Sequence, residues 1–225
     1  MFGENPKRGI LHGDGTKLEV KAIFKTIQGE GIFVGVPAIF IRLGGCNLAC
    51  NFCDTDFEEY SLINTDDIIN EVISLSKNSY AKKSIKLTVI TGGEPLRQPI
   101  ELLCRKLLEE SFQVQIETNG TLYRPLPKEI SVVCSPKAGK NGYSKIREDL
   151  LPSISAMKFI VAKNIMEYNH IEEVGQTSYN IPVFIQPMDQ NDPKLNADNN
   201  KLAVELALES GHRLSLQTHK YLGIE

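Results

Sequence analysis

Short aliphatic and β-branched runs alternate with helical patterns along this chain of 225 residues. The runs typical of strands are residues 18–26, 37–43, 85–91, 112–118, 130–134, 156–161, 182–187 and 213–217. Helical patterns begin at Thr65, which has the hydroxyl of an N-cap, and recur at 97–110, near 166–174 and at 199–210. Strands interleaved with helices indicate βα units and a mostly parallel sheet.

The number of helices narrows the fold class. A complete eight-stranded (β/α) barrel takes roughly 250 residues, and this chain has too few helical segments to complete one. We therefore predict an α/β fold in the form of an abridged, open (β/α) barrel with about six parallel core strands. We expect a single domain over residues 1–225, with 1–17 as an N-terminal extension or edge strand.

Polar and glycine-rich motifs follow the predicted strands. In chain order they are QGEG, GGCNLACNFCDT, TGGEP, ETNG, SPK and QPMD. Ligands of parallel α/β folds bind beyond the carboxyl ends of the strands. The motifs therefore predict one large active site at that rim.

Three of the five cysteines form a closely spaced set, Cys46-x3-Cys50-x2-Cys53. A chain of this length needs no disulfides for stability, and in a reducing compartment clustered cysteines more often bind metal or do chemistry. A structural zinc site wants four ligands, so zinc would require Cys104, Cys134 or a distant histidine as well. We expect those two cysteines to be core thiols. An iron–sulfur cube held by three thiolates instead leaves one iron open to a substrate.

Charge and hydropathy exclude other classes of protein. The 25 basic and 28 acidic residues give a net charge of −3, and the basic residues are scattered rather than clustered as nucleic-acid binding requires. No apolar run approaches the roughly 20 residues of a membrane span, and the first residues lack the apolar stretch of a secretory signal. We expect a cytoplasmic protein that binds neither membrane nor nucleic acid.

The cysteine motif, with Phe52 just before its last cysteine, resembles the signature of the radical S-adenosylmethionine (SAM) superfamily. The segment Gly92-Gly93-Glu94-Pro95 after a strand is similar to the second motif of that superfamily. The resemblance implies a 4Fe–4S cluster on Cys46, Cys50 and Cys53, and SAM chelating its open iron. It also implies that one electron cleaves SAM to give a 5′-deoxyadenosyl radical.

Further motifs resemble one family, the 7-carboxy-7-deazaguanine synthases. They are Thr26–Gly31 (TIQGEG), Arg42-x3-Cys46, Cys53-Asp54-Thr55, Ser135-Pro136-Lys137 and Gln186-Pro187-Met188-Asp189. The resemblance implies a lyase of queuosine and 7-deazapurine biosynthesis that converts 6-carboxy-5,6,7,8-tetrahydropterin to 7-carboxy-7-deazaguanine with loss of ammonia. It also implies the abridged barrel, a homodimer, and an electron donor such as flavodoxin or ferredoxin.

The same resemblance assigns site residues position by position. The implied substrate contacts are Ile27, Gln28, Gly29, Arg42, Thr91, Gln186, Pro187, Met188 and Asp189. The implied SAM contacts are Phe52, Cys53, Asp54, Gly93, Ser135, Pro136 and Lys137. Thr55 matches a Mg²⁺ position, where the ion would share waters and the substrate carboxylate. No catalytic side chain is assigned beyond the cluster and SAM, and Glu94 and His219 are left without a role.

The side-chain chemistry suits these roles, although each motif has a simpler interpretation. The Gln28 amide can pair with a pterin edge, and the Arg42 guanidinium can hold a carboxylate in a bidentate fork. The alternatives are a plain turn for QGEG, a paired or surface arginine, a strand exit for GGEP, a capping turn for Asp54-Thr55 and a solvated Lys137.

Three other functions compete with the synthase. Another small radical SAM enzyme, such as an activase that acts on a partner protein, would share the cysteine motif and GGEP but need not carry QGEG or QPMD. A non-catalytic zinc-binding module would need a fourth ligand. An electron carrier is disfavoured because its cluster normally takes four cysteines.

Overall fold

The computed structural model describes residues 5–53, 55–139 and 142–224. The chain divides into two compact units. The first consists of the residues up to Gln28, Val36–Thr118 and Arg124–Ser131, and the second of Gly29–Gly35, Asn119–Tyr123 and the residues from Val132 onward. The expected single-domain organisation stays a prediction.

The first unit is a mixed sheet with two helices. Its elements are β1 (Lys17–Ile27), β2 (Pro37–Leu43), β3 (Ser61–Asn64), α1 (Thr65–Leu75), β4 (Leu87–Gly92), α2 (Glu101–Glu109) and β5 (Gln113–Thr118). The strand order is β5-β4-β2-β1-β3, in which β2, β4 and β5 are parallel and β1 is antiparallel to both its neighbours. Buried residues of this sheet include Ile39, Ile41, Val89 and Ile90.

The second unit continues the alternation of strands and helices. Its elements are β6 (Ser131–Cys134), β7 (Ala138–Gly139), β8 (Gly142–Tyr143), β9 (Ile154–Val161), β10 (Val183–Pro187), α3 (Pro193–Ser210), β11 (Arg213–Leu214) and α4 (Thr218–Leu222). The order β6-β9-β10-β11 is parallel throughout, and β7 and β8 form a separate antiparallel ribbon. The predicted α/β class with mostly parallel strands is therefore confirmed. No helix among the described residues is long and apolar enough to cross a membrane.

Each predicted strand has a counterpart, with small shifts at the ends, but some helix boundaries differ. Thr65 does not cap α1: Asn64 is the N-cap residue, and the Thr65 hydroxyl donates to the Gly15 carbonyl. The segment near 166–174 contains a 3₁₀ turn at Met166–Tyr168. Helix α3 begins at Pro193 rather than at residue 199. The prediction started too late because the first two turns are mostly polar and lack the apolar spacing of a helix.

The N-cap of α3 explains its early start and gives a prediction. The Asp192 carboxylate accepts hydrogen bonds from the Lys194 and Leu195 amides at 2.8 and 3.0 Å, and Pro193 occupies the first helical position. We expect Asp192→Ala to lower the free energy of unfolding by about 1 kcal/mol in urea titration. Lys201→Ala, an exposed change in the same helix, is the control, and equal losses for both variants would contradict the capping role.

Candidate active site

The three motif cysteines lie in the loop that follows β2 in the first unit. Cys46 is buried, whereas Cys50 and Cys53 are half-buried. The Leu48 amide lies 3.4 Å from the Cys46 sulfur, and the Cys53 amide donates to the Cys50 carbonyl at 3.2 Å. Burial raises the pKa of the Cys46 thiol to about 12, although the Leu48 amide opposes this shift. A bound metal ion would therefore be needed to stabilise the thiolate form of Cys46.

The donor set of this loop fits an iron–sulfur cluster. Across the described residues, no three His, Cys, Asp or Glu side chains are placed to hold a single metal ion. The fit rests on donor type and number, because three cysteines in one loop supply the three thiolates of a cube with one open iron. Cys104 and Cys134 are fully buried in α2 and β6, as expected of core thiols.

The GGEP turn after β4 packs directly on the cysteine loop. The Gly93 amide donates to the Leu43 carbonyl at 3.1 Å, and the Glu94 amide donates to the Gly45 carbonyl at 3.0 Å. A Cβ at Gly93 would collide with the Gly45 carbonyl, so this close approach requires glycine. The turn therefore fixes the backbone immediately before Cys46.

Glu94, which had no role from the sequence, is a fully buried carboxylate that helps to hold the turn together. It accepts hydrogen bonds from the Leu96 amide at 3.0 Å and from the Thr118 hydroxyl at 2.7 Å. These contacts close the turn after β4 and join it to the end of β5.

Arg42 and Thr91, two of the expected substrate contacts, are register partners on β2 and β4. The Arg42 guanidinium carbon lies 5.1 Å from the centre of the Phe24 ring. Its Nε atom is buried, and among the described residues no group accepts a hydrogen bond from it. A buried donor without an acceptor is costly, so this position suits an anionic ligand.

Gln28 is buried in a polar cluster with Gln115 and Glu117. Of these three residues, only Gln28 was predicted from the sequence. Its side-chain nitrogen donates to the Glu117 carboxylate at 3.0 Å, and the Gln115 side chain donates to the same oxygen at 3.0 Å. The Gln115 carbonyl oxygen is buried with no donor in the described part of the chain. The alternating polar residues of QVQIET, in an otherwise buried strand, were the readable signal for Gln115 and Glu117.

The other expected residues of the first unit lie close to these groups in sequence. Ile27 ends β1 and pairs with Pro37. Phe52 and Thr55 are half-buried, and the Thr55 carbonyl accepts a hydrogen bond from the Asn5 side chain at 3.0 Å. Asp54 lies outside the described residues.

In the second unit, the SPK motif follows β6 and is internally bonded. The Lys137 ammonium donates to the Ser135 hydroxyl at 2.6 Å, so Lys137 is not merely solvated, and Pro136 is buried. The Tyr168 hydroxyl accepts from the Ala138 amide at 2.8 Å and donates to the Ala138 carbonyl at 3.0 Å. Tyr168 thus holds the segment that carries the expected SAM contacts.

The QPMD motif begins in the last two residues of β10 and continues past its end, where Pro187, Met188 and Asp189 border a cavity of about 210 Å³. Gln186 and Met188 are buried, and the Gln186 carbonyl oxygen accepts from the Ser215 hydroxyl at 3.1 Å. The Asp189 carboxylate contacts the Lys220 ammonium at 2.7 Å. Burial opposes ionisation of Asp189, but its hydrogen bonds, above all from Lys220, lower its pKa to about 2. Pro187 ends the strand, half-buried, at the cavity rim.

The QGEG turn is held by the C-terminal segment, which gives His219 a structural place. The Gly29 carbonyl accepts from both the amide and the hydroxyl of Thr218 at 3.1 Å. The His219 ring packs where a Cβ of residue 29 would lie, so only glycine fits. The Glu30 carboxylate binds the Lys158 ammonium and the Gln217 amide.

Because Glu30 is paired with Lys158, we predict that the protein loses stability in acid. Burial alone would raise the pKa of Glu30, but the Lys158 charge and the hydrogen bonds from Lys158 and Gln217 lower it from 4.5 to about 2. Because the folded pKa is the lower one, this stabilisation is complete above the unfolded value and is lost as pH falls through the folded value. We expect the advantage of the wild type over Glu30→Gln to be largest at neutral pH and to shrink as the pH falls below 4.5 toward 2.

Urea unfolding across that pH range measures this difference directly. The Asp189 carboxyl also titrates in acid, but it is present in both proteins and cancels in the comparison. If the difference in free energy of unfolding between the two proteins did not change with pH, Lys158 would not be keeping Glu30 ionised in the folded protein.

Comparison with known proteins defines first the class and then the family. The Radical SAM superfamily model matches residues 40–133, which contain the cysteine loop and GGEP. The crystal structure of QueE from Escherichia coli superposes with a TM-score of 0.73 at 27% identity, covering 89% of this chain and 94% of that one. A structure of TYW1, at 16% identity and a TM-score of 0.52, shares the fold. The protein is therefore a radical SAM enzyme, and its predicted fold class is confirmed.

Curated relatives identify the family. The 7-carboxy-7-deazaguanine synthase of Rickettsia prowazekii is 73% identical over 100% of this chain and 96% of its own length. That of Rhodospirillum rubrum is 38% identical over the full length of both chains. The chain belongs to the 7-carboxy-7-deazaguanine synthase family. A 4Fe–4S cluster and SAM follow from this membership.

Proposed function

We propose that this protein converts 6-carboxy-5,6,7,8-tetrahydropterin to 7-carboxy-7-deazaguanine and ammonia, a reaction that supplies queuosine and 7-deazapurine biosynthesis. The carrying observation is the buried Arg42 Nε, which has no acceptor among the described residues and lies on the strand leading into the cysteine loop. When bound, the cluster and SAM supply the 5′-deoxyadenosyl radical that abstracts hydrogen from substrate.

The substrate is bound, in this proposal, by complementary polar groups. Arg42 holds the carboxylate, and Thr91 lies beside Arg42 in register. The Glu117 carboxylate orients the side-chain amide of Gln28, a group whose donors and acceptor are suited to a pterin edge. The remaining proposed substrate contacts are Ile27, Gly29, Gln186, Pro187, Met188 and Asp189.

The cluster and SAM contacts are also proposed from the family motifs. Cys46, Cys50 and Cys53 hold the cluster. Gly93 allows close backbone approach. The remaining SAM contacts are Phe52, Cys53, Asp54, Ser135, Pro136 and Lys137. Tyr168 supports this role by fixing Ala138, the residue that follows Lys137.

Magnesium and the protein partners belong to the same proposal. Thr55 offers one hydroxyl next to the cluster loop, and Mg²⁺ would complete its shell with waters and the substrate carboxylate. We also propose a homodimer, reduction by flavodoxin or ferredoxin, and a cytoplasmic location in which the thiols stay reduced.

A binding experiment with two matched pterins tests the proposed substrate. Reconstituted protein with SAM is titrated anaerobically with 6-carboxy-tetrahydropterin and with tetrahydropterin that lacks the carboxylate, with and without Mg²⁺. We expect binding of the carboxylated compound to be roughly a hundredfold tighter, as two charge-assisted hydrogen bonds would provide. Equal affinities, or no binding of either pterin, would contradict the proposal and favour an activase of a partner protein. A zinc-binding module is not favoured by the family match.

A further inference from the structure

An exposed N-terminal segment runs along the cysteine loop. Residues 5–11, here called the N-terminal strap, belong to the first unit together with that loop. The Arg8 amide donates to the Cys46 carbonyl at 2.7 Å, and Lys7 and Cys46 form a parallel β-bridge. At the other end of the loop, the Asn5 side chain donates to the Thr55 carbonyl at 3.0 Å. The strap therefore binds the backbone on both sides of the three cysteines.

The strap is anchored on its other side by buried Arg97. The Arg97 guanidinium donates to the Gly9 carbonyl at 3.1 Å and to the Gly44 carbonyl at 2.9 Å, and it is paired with Glu19. The Leu11 amide donates to the Arg97 carbonyl at 2.8 Å. The buried Arg97 side chain, which lies in the turn after β4, thus connects the strap to Gly44, two residues before Cys46.

Core packing does not account for this arrangement. Residues 6–10 are exposed, and Arg8 contributes to the loop through its amide while its side chain pairs with Glu58 at the surface. The contacts that the strap makes with the loop are hydrogen bonds to carbonyl groups next to predicted cluster ligands. Such contacts restrict the loop backbone more than they bury apolar surface.

We propose that the N-terminal strap is a positioning element that holds the cysteine loop in the conformation that binds the cluster. It fixes Cys46, whose carbonyl it engages, and Thr55, two residues beyond Cys53. This role rests on the proposed assignment of the three cysteines as cluster ligands. Loosening the strap should therefore speed cluster loss and alter the electronic environment of the cluster, without unfolding the protein.

Two substitutions at one position separate the strap's backbone from its side chain. Arg8→Pro removes the amide that binds Cys46, and an extended backbone at Lys7 tolerates a following proline. Arg8→Ala keeps the amide and loses the Glu58 ion pair, so it is the matched control. Asn5→Ala independently removes the bond to Thr55. The full-length proteins are reconstituted, and cluster loss to an iron chelator is followed anaerobically by visible absorption.

We expect Arg8→Pro and Asn5→Ala to lose the cluster about fivefold faster than the wild type, the effect of one hydrogen bond. Arg8→Ala should match the wild type within about twofold. The electron paramagnetic resonance spectrum of the reduced cluster should shift in Arg8→Pro but not in Arg8→Ala. Thermal unfolding of the cluster-free proteins should be the same for all, which separates loop positioning from global stability.

The outcomes distinguish this proposal from the function on which it rests. If the wild type binds a cluster and Arg8→Pro loses it no faster than Arg8→Ala, with an unchanged spectrum, the strap has no positioning role. If both Arg8 variants lose the cluster faster than the wild type and at the same rate, the surface ion pair rather than the backbone contact matters, and the proposal is again wrong. If the wild type itself binds no iron or sulfide on reconstitution, the proposed cluster and function fail.

Discussion

Cys46→Ala is expected to abolish cluster binding and product formation, a fall in rate of roughly a thousandfold or more, because the cofactor supplies the difficult chemistry. Cys104→Ala is expected to retain both. The two thiols are both buried, and burial raises the pKa of each to about 12. They differ in position: Cys46 opens the loop after β2, whereas Cys104 faces the core from α2.

Iron and sulfide analysis and a product assay check this pair of variants. Cys104→Ala leaves a small cavity, so its free energy of unfolding in urea should be lower by about 1 kcal/mol. Cys46→Ala should have the same free energy of unfolding as the cluster-free wild type. Full cluster occupancy in Cys46→Ala would remove this cysteine from the ligand set. Loss of the cluster from Cys104→Ala would instead implicate the core thiol.

Arg42→Met is expected to lower kcat/KM for the carboxy-pterin roughly a hundredfold, equivalent to about 3 kcal/mol from two charge-assisted hydrogen bonds. The KM for SAM should change little. Arg42→Lys keeps the charge but not the planar fork, so we expect an intermediate loss of about tenfold. Arg105→Met, on the exposed face of α2, should leave the kinetics unchanged.

Stability provides an independent check on the role of Arg42. Its Nε atom is buried without an acceptor among the described residues, so the free protein bears the cost of an unpaired donor. Methionine retains the apolar contact with Phe24 and removes that donor. Arg42→Met should therefore be at least as stable as the wild type by urea unfolding. A variant that loses both activity and stability would indicate that Arg42 acts through the fold.

The strands were predictable because most contain buried β-branched runs, as in LTVITG of β4. The start of α3 was not predicted because the segment from Pro193 to Asn199 is polar, although Asp192-Pro193 is a typical start signal. The short strands β3, β7 and β8 were missed for a related reason. They are exposed or only two to four residues long, so their pairing rather than their composition defines them.

The site was predictable where a motif is local and not where it depends on register. The cysteine loop and the GGEP turn are each a short continuous segment of the sequence. The contact between Gln28 and Glu117, by contrast, joins residues that are 89 positions apart. Glu94 could not be interpreted from sequence, because its role as a buried acceptor depends on Thr118 at the end of another strand. The N-terminal strap is likewise invisible as a pattern, since its interactions with the loop are backbone hydrogen bonds and one amide side chain.

The most direct test of the proposed function is an anaerobic product assay with the reconstituted, chemically reduced enzyme, SAM, Mg²⁺ and 6-carboxy-5,6,7,8-tetrahydropterin. We predict 7-carboxy-7-deazaguanine and ammonia in equal amounts, both dependent on SAM and on an intact Cys46. Enzyme with a complete 4Fe–4S cluster that cleaves SAM but forms neither product would contradict the proposed substrate.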